Sequence, residues 1–189
     1  MARVTLVNKP DDYPGSPDDA TRRDLAALFD YLCPRMPNPE IDSAHAGIAI
    51  AAHIPKLALQ LAKLGGLIAG ELAWCQRRDL RELAIQSLNV HFKCDYSFRT
   101  RMSTASAAGI GIELQNALPF WKSSTLFDDE QRLVIEYTHA VVTGEVPGTL
   151  FSRVVDQYGE KGAIELTTVV AFWSFWAMFL NATRPDAAT

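Results

Sequence analysis

Apolar residues recur at helical spacing along most of this chain. Leu25, Leu28, Phe29 and Leu32 follow the i, i+3, i+4, i+7 spacing that places side chains on one face of a helix. The same rhythm returns over residues 80–92, and no stretch of useful length alternates between apolar and polar residues as a strand does. The pattern therefore predicts an all-α protein, folded as a helical bundle.

Prolines, glycines and capping residues predict where the helices begin and end. Asp, Ser and Pro favour the first turn of a helix, and glycine favours the position just after the last turn. In the first half of the chain we expect helices that begin at Ser16-Pro17-Asp18-Asp19, at a cap formed by Asp42 or Ser43, at Pro55, and at Asp79 as the cap of residues 80–92. We expect a further helix over residues 95–108 that stops at Gly109, and a short one over residues 112–118. The next helix begins at Asp128 and ends before Gly144, and Gly159 separates the last two, over residues 147–158 and 162–181.

The length and composition fit one domain. The 189 residues include 48% hydrophobic residues, which is enough for one sizeable core. We expect residues 1–16 to form an extended arm, residues 17–184 to form a single helical domain, and residues 185–189 to form a tail.

A faint internal repeat runs through the chain. Glu82-Leu83 opens an apolar helical run in the first half, and Glu165-Leu166 opens another in the second half. Polar residues follow the first run, whereas aromatic residues occupy the second. The pattern is typical of a duplicated helical unit in which one half keeps the chemistry and the other builds core or interface.

The charge and composition of the chain argue against some classes of binding partner. The net charge of −4 and the lack of a basic run argue against nucleic acid as a partner. Residues 1–16 contain no apolar core of a signal peptide, and the most apolar stretch, residues 169–180, is shorter than the roughly 20 residues of a membrane span. We therefore expect a cytoplasmic protein with no membrane partner. Cys33, Cys75 and Cys94 lack the spacing of a metal site or a disulfide framework.

Three sequence segments resemble a known superfamily. Arg81-Glu82-Leu83-Ala84-Ile85 is followed by Cys94-Asp95-Tyr96-Ser97-Phe98-Arg99-Thr100-Arg101 and then by Ala108-Gly109. This order and spacing resemble the core motif of the carboxymuconolactone decarboxylase / alkyl hydroperoxidase D superfamily, over roughly residues 40–182. The resemblance implies an all-helical fold, a homo-oligomer and chemistry without a cofactor.

The resemblance also implies roles for individual residues. Glu82 falls on the proton-relay glutamate, Cys94 on the first cysteine, and Tyr96 on a relay position held by His or Tyr. Ser97 stands where the hydroperoxidases have their second cysteine, and Arg101 stands where the family usually has histidine. A dithiol peroxidase needs a second sulfur to resolve the sulfenic acid, which Ser97 cannot supply.

Three functional hypotheses remain open. The first is a cofactor-free, decarboxylase-like lyase or isomerase that acts on a small acidic or phenolic metabolite. In it Glu82 is the acid or base, Tyr96 and His91 relay protons, and Arg101, with Ser97 and Phe98 beside it, binds the substrate carboxylate. The second is a peroxidase that uses Cys94 alone, its thiol activated by a nearby cation. The third is a catalytically silent binding or assembly protein.

Structural roles compete with each of these assignments. Glu82 can pair with Arg78, Arg81 or Arg101, Cys94 can be an inert buried residue, and His91 can be a core histidine. The aromatic residues of the last helix indicate core or subunit interface, and from them we expect a dimer, a trimer or a hexamer. They are Phe172, Trp173, Phe175, Trp176 and Phe179.

Overall fold

The computed structural model describes residues 3–185, and these fold into helices with no strand among them. This confirms the predicted all-α class. The α-helices are α1 (Asp19–Leu32), α2 (Ala46–Ala51), α3 (Pro55–Glu71), α4 (Arg78–His91), α5 (Asp95–Ala107), α6 (Ile112–Ala117), α7 (Asp129–Thr143) and α8 (Gly148–Thr183). Short 3-10 helices lie at Pro10–Asp12, Ser43–His45, Trp74–Gln76 and Leu118–Phe120.

Contacts between residues divide the chain into two compact units. The first contains the residues up to Gly66 together with those from Phe179 onward, and the second runs from Leu67 to Met178. Helices α3 and α8 each contribute residues to both units. Most of the expected C-terminal tail, residues 186–189, lies outside the described residues.

In the first unit the N-terminal arm is packed rather than loose. Val7 is fully buried, and its N–H donates to the carbonyl of Ala49 at 3.0 Å. Ile41 donates in turn to the carbonyl of Asn8 at 2.9 Å. These bonds satisfy backbone groups that burial would otherwise leave unpaired, so the arm is part of the unit.

In the second unit α4 is the central helix, packed against both α5 and α7. Every residue from Glu82 to Asn89 is buried, including polar side chains. Helix α7 packs Val134 and Ile135 into the same core, and the second half of α8 adds Leu166. A helix surrounded in this way exposes little of any face, which explains why the sequence over α4 carries so few charges after its first turn.

One helix start differs from the prediction. Asp79 was expected to cap α4, but the helix begins at Arg78 and Arg77 occupies the capping position. The Asp79 carboxylate instead accepts hydrogen bonds from the Arg77 guanidinium, at 3.2 and 3.0 Å. The same carboxylate also receives backbone hydrogen bonds from Leu80 and from its own N–H, so it binds within the first turn without occupying the capping position. The predicted cap at Asp128 is confirmed, since its side chain accepts from Gln131 N at 2.8 Å.

Helix α8 is interrupted at a single residue. Gly159 has φ +71°, in the region that favours glycine, and helical structure continues on both sides of it. The predicted separation at Gly159 is therefore a kink rather than a loop. By length and composition α8 also meets the requirement for a membrane span, although core helices of soluble proteins meet it too, and just under half of its most apolar window is buried.

Candidate functional site

Glu82 lies on the side of α4 that faces α5, and it is 0% exposed. The same side carries Gln86 one turn later, whose amide donates to the carbonyl of Phe98 on α5 at 3.1 Å. A carboxylate in such a place needs charged or hydrogen-bonding partners, because the desolvation of an unpaired charge is very costly.

Arg101 of α5 is the main partner of Glu82. Its Nη2 lies 2.8 Å from both carboxylate oxygens, and its Nε donates to Oε2 at 3.2 Å. The Arg101 side chain is 20% exposed, so it reaches from the buried carboxylate to the surface. The structure thus brings together the two residues that the sequence placed at the catalytic and substrate-binding positions.

Arg81 is a second, weaker partner of the same carboxylate. Its Nη2 lies 3.4 Å from Oε1 of Glu82, while its Nη1 donates to the carbonyls of Ala69 and Cys75 at 3.1 and 3.3 Å. Those two carbonyls fix the guanidinium in place. One buried carboxylate therefore faces two guanidinium groups, and the cluster carries an excess of one positive charge.

Trp173 of α8 completes the surroundings of Arg101. The guanidinium carbon lies 5.8 Å from the centre of the Trp173 ring, within the range of a cation–π contact. The sequence grouped Trp173 with the core or interface aromatics and gave no signal for this contact. It arises because α8 passes close to α5 in the folded unit.

Cys94 is buried at the position that caps α5. Burial raises its pKa, a hydrogen bond from the Ser97 backbone lowers it, and the charge of Asp95 raises it. The expectation that a nearby cation would lower the pKa of Cys94 is wrong, because its pKa is raised and the charged side chain that shifts it is the acidic Asp95. A buried thiol of raised pKa is poorly suited to nucleophilic attack.

The other residues expected around the site lie on the first turn and a half of α5. Ser97 is buried, Tyr96 is half-buried, and Phe98 is half-buried and packs against the core of the second unit. Phe98 is thus a packing residue whose carbonyl also binds Gln86.

His91 belongs to a different cluster from Glu82. Nine residues of helix place its side chain on the opposite side of α4, where its ring centre lies 5.7 Å from that of His139 on α7. His139 in turn lies with Nε2 3.3 Å from Oγ of Ser87 and stacks on Trp121, with 5.8 Å between ring centres. Burial lowers the pKa of His139, and the charges of His91 and Lys122 lower it further.

Buried amide side chains fix the distance between α4, α5 and α6, and sequence reasoning missed them. Gln86 Nε2 donates to Gln115 Oε1 at 2.9 Å, and Asn89 donates to Gln86 Oε1 at 3.0 Å. Gln115 also donates to the carbonyl of Ile110 at 2.7 Å. The available signal was the presence of Gln86 and Asn89, three residues apart, in a helix whose other buried residues are mostly apolar.

Comparisons with protein-family models, with curated proteins and with solved structures give no match for this chain. The resemblance to the decarboxylase and hydroperoxidase superfamily is therefore an expectation drawn from the sequence segments around Glu82 and Cys94 alone.

Proposed function

We propose that this protein is a cofactor-free, carboxymuconolactone decarboxylase-like lyase that acts on a small carboxylated metabolite held by Arg101. The observation that carries the proposal is the half-buried guanidinium of Arg101, held along its Nε and Nη2 edge by Glu82 and packed near the Trp173 ring. Nη1 takes no part in the pair with Glu82. A guanidinium held rigidly in this way loses little entropy when it binds a carboxylate.

The charge of the cluster favours an anionic substrate. Arg81 and Arg101 together outweigh the single carboxylate of Glu82 by one positive charge. Arg81 is bound to two backbone carbonyls, so the excess charge reaches solvent through Arg101. In a half-buried site such a charge is screened less than at the open surface.

The reaction needs a place for the electrons that decarboxylation releases. When the C–C bond to the leaving carboxylate breaks, carbon dioxide departs and the electron pair passes to a neighbouring carbonyl, which becomes an enolate. The Arg101 cation stabilises the enolate oxygen, and the enolate carbon then takes a proton from an acid, a role we assign to Tyr96. Glu82 acts through Arg101 as a positioning residue, because both of its oxygens are already bound.

The binding of both Glu82 oxygens also favours a second candidate, a catalytically silent protein that binds a small carboxylate. Both Glu82 oxygens are bound by guanidinium groups, so neither is open to contact with a substrate, and the His91 cluster lies on the other side of α4. In this alternative Arg101 binds the same class of ligand without turnover.

One experiment separates the two candidates. A panel of small carboxylated lactones and β-keto acids is screened for carbon dioxide release and, in parallel, for binding by calorimetry, with wild type, Arg101→Lys and the exposed control Arg153→Lys. The lyase predicts release by wild type and by the control, with a loss of at least tenfold in Arg101→Lys. Binding without release identifies the silent protein, and the absence of both overturns the proposal.

We also infer that the protein is a cytoplasmic homo-oligomer. Helix α8 exposes Ile164 and Met178, large apolar side chains of the kind that subunit contacts cover. Light scattering of the purified chain should give a mass that is a multiple of 20.9 kDa. A monomer at micromolar concentration would contradict this inference.

A further inference from the structure

A cleft of about 400 Å³ lies in the second unit, beside the kink of α8. Its walls come from the turn before α4, from α7 and from both sides of the kink. The charged and aromatic residues that line it are Trp74, Arg77, Glu130, Tyr158, Lys161 and Glu165. None of them belongs to the cluster around Glu82 and Arg101, and the volume lies in the range of small-molecule sites.

In one half of this cleft the polar side chains are hydrogen-bonded to one another. The Arg77 guanidinium donates to both oxygens of Glu130, at 3.3 and 3.1 Å, and Tyr158 donates to Oε1 of the same carboxylate at 3.2 Å. Burial raises the pKa of the Tyr158 phenol, and so does the neighbouring charge of Glu130. These groups form a closed network and leave no obvious vacancy for a ligand.

The other half of the cleft contains two buried polar atoms without hydrogen-bond partners. Glu165 is 4% exposed, and while its Oε2 accepts from the backbone N–H of Trp74 at 2.6 Å, its Oε1 accepts no hydrogen bond. Trp74 is 6% exposed, and its Nε1–H makes no well-formed hydrogen bond, although the indole lies close enough to the Tyr158 hydroxyl to lower the pKa of that phenol. Within residues 3–185 only five buried side-chain atoms lack a hydrogen-bond partner in this way, and two of the five line this one cleft.

A buried polar group without a hydrogen-bond partner destabilises the protein, and the two such groups in this cleft are one acceptor and one donor. A buried donor or acceptor without a partner costs roughly the full desolvation of that group. Glu165 Oε1 needs a donor and Trp74 Nε1 needs an acceptor. The ammonium of Lys161 lies 3.8 Å from Oε1, beyond hydrogen-bond distance, on a side chain that is largely exposed.

The charges of the lining select against an ionic ligand. Arg77 and Lys161 balance Glu130 and Glu165, so the lining has no net charge. An ammonium ligand would be repelled by the ammonium of Lys161 and would face the indole N–H of Trp74, which is also a donor. A carboxylate ligand would be repelled by the carboxylate of Glu165. A neutral group that offers a donor and an acceptor on the same carbon atom, as a carboxamide does, meets both needs.

We propose that this cleft is a second binding site, specific for a small neutral molecule that carries a carboxamide or a similar donor–acceptor pair. Its N–H donates to Glu165 Oε1, and its carbonyl accepts from Trp74 Nε1. The apolar part of the ligand packs against the Trp74 and Tyr158 rings, which meet edge to face with 5.9 Å between their centres. Gly162 also lines the cleft, and a Cβ there would lie 3.9 Å from the Trp74 ring and 2.6 Å from Cβ of Tyr158.

Three probes of nearly equal size test the proposal: benzamide, benzoate and benzylammonium. Each is titrated into the full-length protein while the indole N–H resonances of the four tryptophans are followed by NMR. The Trp74 resonance is assigned with Trp74→Phe, and Trp121→Phe serves as the matched control at a tryptophan outside the cleft. We expect benzamide to shift the Trp74 resonance saturably and to bind at least tenfold more tightly than either ion.

The variants give the second measurement. Trp74→Phe keeps an aromatic ring but removes the donor, so benzamide should bind about tenfold more weakly, and Trp121→Phe should bind it as wild type does. If Trp74→Phe does not fold by circular dichroism, Glu165→Gln replaces it and should also weaken binding. Tighter binding of benzylammonium, unchanged affinity in the variants, or no saturable shift, which would mean that water alone occupies the cleft, would each overturn the proposal.

Discussion

Arg101 and Glu82 are joined by three contacts, with Nη2 of the arginine 2.8 Å from each carboxylate oxygen and Nε 3.2 Å from Oε2. The carboxylate is fully buried, whereas the guanidinium extends toward the surface. The pair links α4 to α5 and at the same time fixes the cation to which we assign substrate binding. The same contacts therefore serve stability and the proposed function, and the two effects must be measured separately.

Removal of Arg101 should destabilise the protein strongly. Arg101→Ala leaves the Glu82 carboxylate buried with only the weaker Arg81 contact, and breaking a buried pair in this way costs about 3–5 kcal/mol. Urea unfolding measures the change in the free energy of unfolding. The control is Arg153→Ala, whose exposed pair with Glu136 is worth about 0–1 kcal/mol. Equal losses in the two variants would contradict the assignment of Arg101 as the partner of a buried charge.

The stability should fall as the pH is lowered through the range in which His139 takes up a proton. Burial, together with the charges of His91 and Lys122, lowers the pKa of His139 in the folded state. Below the ordinary value of about 6.5 the unfolded chain then binds more protons than the folded one, so stability rises with pH there and is fully present above it. His139→Gln should lose less stability between pH 7.5 and 5.5 than wild type. An equal loss in both would contradict the prediction.

Cys94 should react slowly with alkylating reagents at neutral pH. Burial raises its pKa, and burial also raises the pKa of Cys75 to about 11. Cys33 is the most exposed of the three, so it should be alkylated first. Mass spectrometry of the digested protein after iodoacetamide treatment measures the order. Rapid labelling of Cys94, or its conversion to sulfenic acid by peroxide, would restore the single-cysteine peroxidase as the leading hypothesis.

Two glycine variants should change stability in opposite directions. Gly159 has φ +71°, so Gly159→Ala should destabilise by about 1–2 kcal/mol through backbone strain at the kink. Gly70 lies in α3 with ordinary φ and open space at the Cβ position, so Gly70→Ala should stabilise by about 0.5–1 kcal/mol. Thermal unfolding of both variants measures the difference. Stabilisation by Gly159→Ala would contradict the left-handed conformation at Gly159, and destabilisation by Gly70→Ala would contradict the open space at Gly70.

The expected helix boundaries held wherever a single local interaction decides them. Asp128 caps α7 through the N–H of Gln131, three residues away, and Gly144 ends the helix with φ +79°. Asp79 failed as a cap because its carboxylate pairs with Arg77, a side chain that also binds Glu130, which lies 53 residues away in sequence. Arg77 is only two residues from Asp79, but its second contact, with Glu130 on α7, is not part of the local pattern.

The sequence by itself determined the helical class, most helix ends and the proximity of Glu82 to Arg101, because these follow from spacing along one helix and from two consecutive helices. The tertiary structure alone decided that Glu82 is bound on both oxygens, that Trp173 packs near Arg101, and that His91 lies with His139. It alone also placed Trp74 against Glu165, 91 residues apart in sequence. Each of these depends on which faces of distant helices meet, and on which buried polar atoms find partners when they do.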